Sequence, residues 1–315
     1  MIKITKLKIT FIYLAVILLA VLYIFSFTVF SSDGQKKAFS QQIVFLHEAD
    51  IPNIDGFIIH TADSELIISK SNDMWLLADS ENPENKIPAD VQKLKSFFLS
   101  LASTKTISKA GDKTNLSSYG LDSNNASSIL IFKNGSLYHT LDFGDFNFSQ
   151  THRYFTDEEL NSVFYCDTAF DNYLTTSIQS WSDPYIISTQ IKDSVFNTGD
   201  ILSASTYDYK ENRGAALTSQ SEDWSSKISK LEELRHGGLA QISSFADFAN
   251  NSNLLTKVHL ETGNLCQIEI DIFATETDEE YTVRIKFYSE LSQKEFSYCT
   301  AISLWTYNKI KEIML

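Results

Sequence analysis

The chain has 315 residues and a formal net charge of −14, with 43% hydrophobic and 13% aromatic residues. A field of that sign repels phosphate backbones and anionic headgroups, which makes nucleic acid a poor partner class. Four Pro and 11 Gly in so apolar a chain exclude a disordered tail, and three cysteines are too few for a disulfide framework.

Residues 1–8 carry Lys3, Lys6 and Lys8, and Ile9–Phe30 follows with no charged residue, Pro or Gly. As a helix this stretch spans a hydrocarbon core of about 30 Å, the only open-chain solution that satisfies every backbone group in lipid. The lysine bias holds the N-terminus inside. The expectation is a single-pass protein of the inner (cytoplasmic) membrane: cytoplasmic leader 1–8, transmembrane anchor 9–30, polar stalk 31–40, and an extracytoplasmic (periplasmic) bulk. A cleaved secretory signal competes, but the run exceeds the usual core of about 7–15 residues and ends without an Ala-x-Ala site.

Beyond the stalk, Gln41–His47 reads as a first strand. Phe57–Thr61 and Ser64–Ser69 read as a hairpin, and Met74–Ala78 as a third strand carrying Trp75. Asp79–Lys86 reads as a polar loop before a helix over Ala89–Ala102, whose stripe is Val91, Leu94, Phe98 and Leu101. A turn-rich connector through Tyr119-Gly120-Leu121-Asp122 leads to strands Ser128–Lys133 and Ser136–Phe143 about Asn134-Gly135, a type I′ signal. His152–Phe155 and Ser162–Tyr165 continue the meander, and a helix is expected over Asp167–Ser177, with Pro184 closing the unit.

The second half restates this order. Strands are expected at Ile201–Tyr209 and Ala215–Ser219, Trp224 takes the place of Trp75, and a helix covers Ser226–His236. Lys257–Leu260, Leu265–Phe273 and Tyr281–Tyr288 alternate as strands, and Trp305–Ile313 reads as a closing helix. Phe164-Tyr165-Cys166 and Ser297-Tyr298-Cys299 set a period of about 130 residues, right for a duplicated domain. The expected fold class is therefore α+β: an N-terminal transmembrane helix followed by two tandem repeated antiparallel-sheet-plus-helix units, 41–187 and 188–315.

Trp75-Leu76, Ile87-Pro88-Ala89-Asp90, Tyr119-Gly120-Leu121-Asp122, Leu141-Asp142-Phe143-Gly144, Val163-Phe164-Tyr165 and Ser180-Trp181-Ser182-Asp183 together carry a resemblance over Phe57–Ile187. In these steps the chain resembles DUF4340, a domain-of-unknown-function family of membrane-anchored bacterial envelope proteins. The resemblance implies an anchored, β-rich extracytoplasmic module, and a companion of ABC-type export systems of the gliding-motility type. It brings no catalytic residue.

His139, Asp142, Asp145, His152 and Arg153 form the densest polar cluster, all near Gly144. Strand alternation sets His139 and Asp142 on opposite faces, so solvated strand ends are the expected role. No catalytic, cofactor-binding or metal-ligating residue is assigned, and no cofactor. Cys166, Cys266 and Cys299 read as buried small hydrophobes, with a Cys266–Cys299 bridge left open for an oxidising compartment. The expected function is non-enzymatic: a membrane-anchored interaction or accessory protein with an envelope partner, including ABC transporter subunits. The alternative is a ligand-binding sensor with its cleft between the two units.

Overall fold

The computed structural model describes residues 40–80, 82–240, 242, 254–275 and 279–315. The first sheet holds β1 (Ser40–Ile43), β2 (Ile54–His60), β3 (Glu65–Ser71), β4 (Met74–Asp79), β5 (Asn82–Pro88), β6 (Lys105–Asp112), β7 (Ser127–Lys133), β8 (Ser136–Phe146), β9 (His152–Asp157) and β10 (Ser162–Asp167). The second holds β11 (Ile201–Asp208), β12 (Arg213–Thr218), β13 (Gly238–Leu239), β14 (Leu254–Thr262), β15 (Cys266–Ala274), β16 (Glu280–Ser289) and β17 (Lys294–Ser303). Four α-helices accompany them among the described residues: α1 (Val91–Ala102), α2 (Ile178–Trp181), α3 (Trp224–Glu232) and α4 (Leu304–Met314).

The first sheet runs β1-β6-β10-β9-β8-β7-β2-β3-β4-β5 and the second β12-β11-β14-β15-β16-β17-β13. All their pairings are antiparallel. This overturns the expected fold class. Antiparallel sheet dominates, and sheets of ten and seven strands replace two equivalent sheet-plus-helix units. No helix among the described residues is long and apolar enough to cross a membrane, and the expected anchor Ile9–Phe30 lies outside them. The two sheets do share one path: β6-β10-β9-β8-β7-β2-β3 and β13-β17-β16-β15-β14-β11-β12 connect their strands alike. β1, β4 and β5 belong to the first sheet alone. Trp75 sits on β4, whereas Trp224 opens helix α3, so the two tryptophans are not counterparts.

Strand alternation builds the core. In the second sheet Ile268, Ile270 and Ile272 on β15 face Phe287, Ile285 and Val283 on β16, and Leu260 and Val258 on β14 extend the row. All are buried. Each contributes roughly 1.5–3 kcal/mol from apolar surface removed from water. Helix α4 covers this half with Tyr307, Ile310, Ile313 and Met314, and Ser303 caps it by accepting from Thr306 N at 3.3 Å. Lys311 Nζ reaches the buried Asp208 at 2.8 Å and Glu211 at 2.5 Å. Burial alone would raise the Asp208 carboxyl, but Lys311 and the Glu211 N–H hold it below the usual carboxylate range.

In the first sheet, α1 starts where Asp90 accepts from Gln92 N at 2.8 Å and Lys93 N at 3.1 Å. Its buried stripe is Leu94, Phe97, Phe98 and Leu101, rotated from the expected one. Val91 is left 39% exposed, and Phe97 packs tilted against Phe57 with ring centroids 4.8 Å apart. The Asn134-Gly135 turn has φ of 52° and 75°, as a type I′ hairpin demands.

Three local expectations fail. The polar loop before α1 contains β5, and the long connector contains β6. The helix over Asp167–Ser177 is a 3-10 turn, Thr168–Tyr173, followed by the short α2. The three cysteines are free and buried, with Cys266 and Cys299 on strands that flank β16 on opposite sides. Burial pushes the Cys166 and Cys299 thiols up to about 12.

Candidate functional site

The residues clustered around Gly144 in the sequence are taken up separately. His139 Nε2 stands 3.6 Å from Asp157 Oδ2, and Asp142 Oδ1 accepts from Ser128 Oγ at 2.6 Å. His152 Nδ1 lies 2.9 Å from Thr151 Oγ1, while Arg153 donates to Gly144 O at 2.7 Å and to Asp171 Oδ1 at 3.0 Å. The β8–β9 register pairs Leu141 with Asp157 and Phe146 with Arg153, which sends His139 and His152 to opposite ends of the hairpin. Asp145 turns toward Gly120 instead. Among the described residues, no group of three or more His, Cys, Asp or Glu could hold a metal ion.

Tyr119-Gly120-Leu121-Asp122 forms a turn with each residue in a structural role. Gly120 ends the 3-10 turn Lys113–Tyr119 at φ 64°, and Leu121 is buried. Asp122 accepts from Asn124 N at 3.1 Å and with both oxygens from Asn125 Nδ2 at 2.9 Å, and the Asn125 amide leads in holding its carboxyl below the usual range. The turn lies directly on β8: a Cβ at Gly144 would sit 2.0 Å from Tyr119 O. Gly144→Ala is therefore expected to lower stability by about 3 kcal/mol through overpacking. Gly135→Ala, where nothing crowds the added methyl, should cost only about 1 kcal/mol for its positive φ. Urea midpoints of the two variants check the contrast.

The most elaborate polar arrangement lies where the chain passes from one sheet to the other. The Trp181-Ser182-Asp183-Pro184 segment is fastened to the start of α1: Asp90 N donates to Trp181 O at 2.8 Å and Asp183 N to Pro88 O at 2.9 Å. Buried Asp183 then gathers the following turn. Its Oδ2 accepts from Ser188 Oγ at 2.9 Å, Thr189 N at 2.8 Å, Thr189 Oγ1 at 2.9 Å and Gln190 N at 3.4 Å, and its Oδ1 from Tyr185 N at 3.2 Å.

Gln190 reaches back to the first sheet, accepting from Trp75 N at 2.6 Å and donating to Trp75 O at 3.0 Å and Ala89 O at 3.3 Å. From the second sheet, Tyr298 donates to Ile186 O at 2.6 Å and accepts from Ser188 N at 3.0 Å. His236 Nδ1 accepts from Gly238 N at 2.9 Å, so its proton is on Nε2, which donates to Asp183 O at 2.6 Å. Burial holds His236 below its ordinary range. Outside this seam, β5 lies against β17 and β13, and Asn85 Nδ2 donates to Ala240 O at 2.9 Å. The sequence offered Asp183 through its motif but held no sign of Gln190, His236 or Tyr298, whose seam partners Trp75, Asp183 and Ile186 are distant from them in the chain.

Clefts open elsewhere among the described residues, and two of them exceed 400 Å³. One, of about 410 Å³, lies between α1, the 3-10 turn Glu48–Asn53 and strands β3 and β4. Its lining is mainly apolar, with Ile51, Ile54, Trp75, Val91, Phe98 and Leu99, completed by Lys70 and Lys95. The other, of about 440 Å³, is more polar and includes Lys192, Asp200, Trp224 and Glu232. There Lys192 is already held by Glu232 at 2.8 Å.

These features define a class: a two-sheet antiparallel β protein joined through a buried carboxylate seam, with an apolar cleft beside one helix. The chain belongs to the family described as Domain of unknown function (DUF4340), whose sequence profile matches residues 81–282. The match starts later than the resemblance read over Phe57–Ile187 and reaches through β11–β15 into β16 of the second sheet. No curated protein and no solved structure matches the chain.

Proposed function

We propose that the chain is a non-enzymatic accessory subunit of a cell envelope, held at the cytoplasmic membrane by its apolar stretch Ile9–Phe30, with its bulk extracytoplasmic. Its partner in this reading is an ABC-type transporter of the gliding-motility kind. The observation that carries the reading is the free edge of the second sheet. Among the described residues β12 pairs with β11 alone, while the facing edges β5 and β13 cover one another. At the end of β12, Thr218 N donates to Ser221 Oγ at 2.9 Å and Thr218 O accepts from Ser221 N at 2.8 Å, both away from β11. Antiparallel alternation turns the N–H and C=O of Ala216 the same way, toward an incoming strand. Strand addition at such an edge draws affinity from main-chain bonds, and a net charge of −14 favours a basic segment.

Co-expression of the full chain with an ABC-type ATPase and permease, followed by recovery in mild detergent, tests this. Ala216→Pro removes the outward donor and leaves the β11 ladder intact. It is expected to lower transporter recovery about tenfold, the loss of one or two main-chain bonds. Equal recovery by the two forms overturns docking at this edge, and no recovery by the wild type overturns the accessory role.

A ligand-binding sensor is the second reading. Its cleft was expected between the two units, but Asp183, Gln190 and Tyr298 fill the junction beside them. The support for this reading comes from the apolar cleft beside α1.

A further inference from the structure

The geometry points to the cleft beside α1 as a binding site for a long-chain fatty acid, with the acyl chain against Trp75, Phe98 and Leu99 and the carboxylate at Lys95. The inference goes beyond docking at β12 and does not depend on it. The cleft falls within the size range of about 300–1,000 Å³ in which proteins hold small molecules, and its walls are mainly hydrocarbon and aromatic. Trp75 and Phe98, with ring centroids 5.6 Å apart, form a rigid apolar surface. Val91 and Leu99 stay 39% and 54% exposed on a helix whose opposite stripe is locked into the core. Their exposure is the cost of keeping the cleft open, and an acyl chain lying there would remove it.

Charge selects the head group. In a chain of net charge −14, two lysines line this one apolar cleft. Lys70 is shared with Asp73 at 3.5 Å. No described carboxylate lies within ion-pair distance of Lys95, so its ammonium is left for an anion. A carboxylate on an alkyl chain satisfies both features, whereas a neutral hydrocarbon satisfies one and a small hydrophilic anion the other. Helix α1 places Leu99 one turn beyond Lys95, on the same side, so the two parts of such a molecule meet adjacent side chains.

Full-length chain in phosphatidylcholine nanodiscs, exposed to a photoreactive analogue of palmitate and then digested, gives the test. Labelling is expected to concentrate in peptides covering 48–102. Unlabelled fatty acids should compete with a potency that falls about fourfold for each methylene removed, and methyl palmitate should compete at least about fivefold less well than palmitate. Lys95→Ala should lower labelling about fivefold, and Leu99→Asp, which sets a charge on the acyl path, more than about tenfold. Both positions are exposed, so neither change threatens the fold. Ala216→Pro should label like the wild type, which separates this site from the docking edge. Labelling spread evenly along the chain, equal competition by methyl palmitate, or a Lys95→Ala variant that labels like the wild type each overturns the assignment.

Discussion

Asp183→Ala is expected to lower the stability of the chain by about 4 kcal/mol, with urea unfolding that separates into two steps. The carboxylate is buried and accepts from five donors, three of them backbone N–H groups of Tyr185, Thr189 and Gln190. An alanine leaves those donors without an acceptor at a buried position, at about 1–3 kcal/mol for each group that finds no substitute. The turn they hold carries Gln190, which is bonded to Trp75 on β4 and to Ala89 just after β5. Losing the turn loosens the junction, so the two sheets unfold at different denaturant concentrations. Asp183→Asn separates the contributions. Its oxygen can keep the crowded Oδ2 position, and its amide then opposes only Tyr185 N, so the cost should fall to about 1–2 kcal/mol with one transition retained. A single transition for Asp183→Ala at wild-type stability would show that the seam does not couple the sheets.

Trp181→Ala should cost about 3–5 kcal/mol, and should act first on the ten-stranded sheet. The indole is fully buried against Phe57, Phe97 and Tyr173, with centroids at 5.5, 5.6 and 6.0 Å, and Lys93 Nζ lies 4.4 Å from its ring. Its Nε1 donates to Thr175 O at 2.9 Å. Truncation removes the wedge under α1 and orphans that carbonyl, whereas Trp181→Phe fills most of the volume and should cost less than half as much. Hydrogen exchange on the variant checks the location: amides of β2, β4 and α1 should lose protection before those of β15 and β16. Uniform loss across both sheets would contradict the assignment.

Local chemistry was legible in the sequence wherever it decided the structure. The apolar spacing from Val91 to Leu101 announces α1, Asn134-Gly135 its hairpin, and the alternating isoleucines of β15 their strand. β5 was hidden because Asn-Pro-Glu-Asn-Lys reads as solvated loop. Its extended state comes from pairing with β4 and from the second sheet lying alongside it. β6 was hidden for a related reason. Its Ser, Lys and Gly have weak strand preference, and its register is set by β1 and β10 on either side. On α1, Val91 and Phe97 both fit the helical period, but Phe97 packs on Phe57 and Trp181 in the core whereas Val91 lies at the cleft and stays exposed. The pairing of Trp75 with Trp224 failed because β4 has no equivalent in the seven-strand path. At the candidate sites, Asp183 could be found by its motif, but Gln190, Tyr298 and the Lys95 side of the cleft depend on chain segments brought together only by folding.

The buried thiols give the molecule a built-in record of its own opening. Cys166 sits in the first sheet and Cys266 and Cys299 in the second, all sealed from solvent. An alkylating reagent meets none of them until the surrounding strands part, and two of the three resist ionisation while shielded. Their rates of modification therefore time the breathing of each half separately, without any label being introduced.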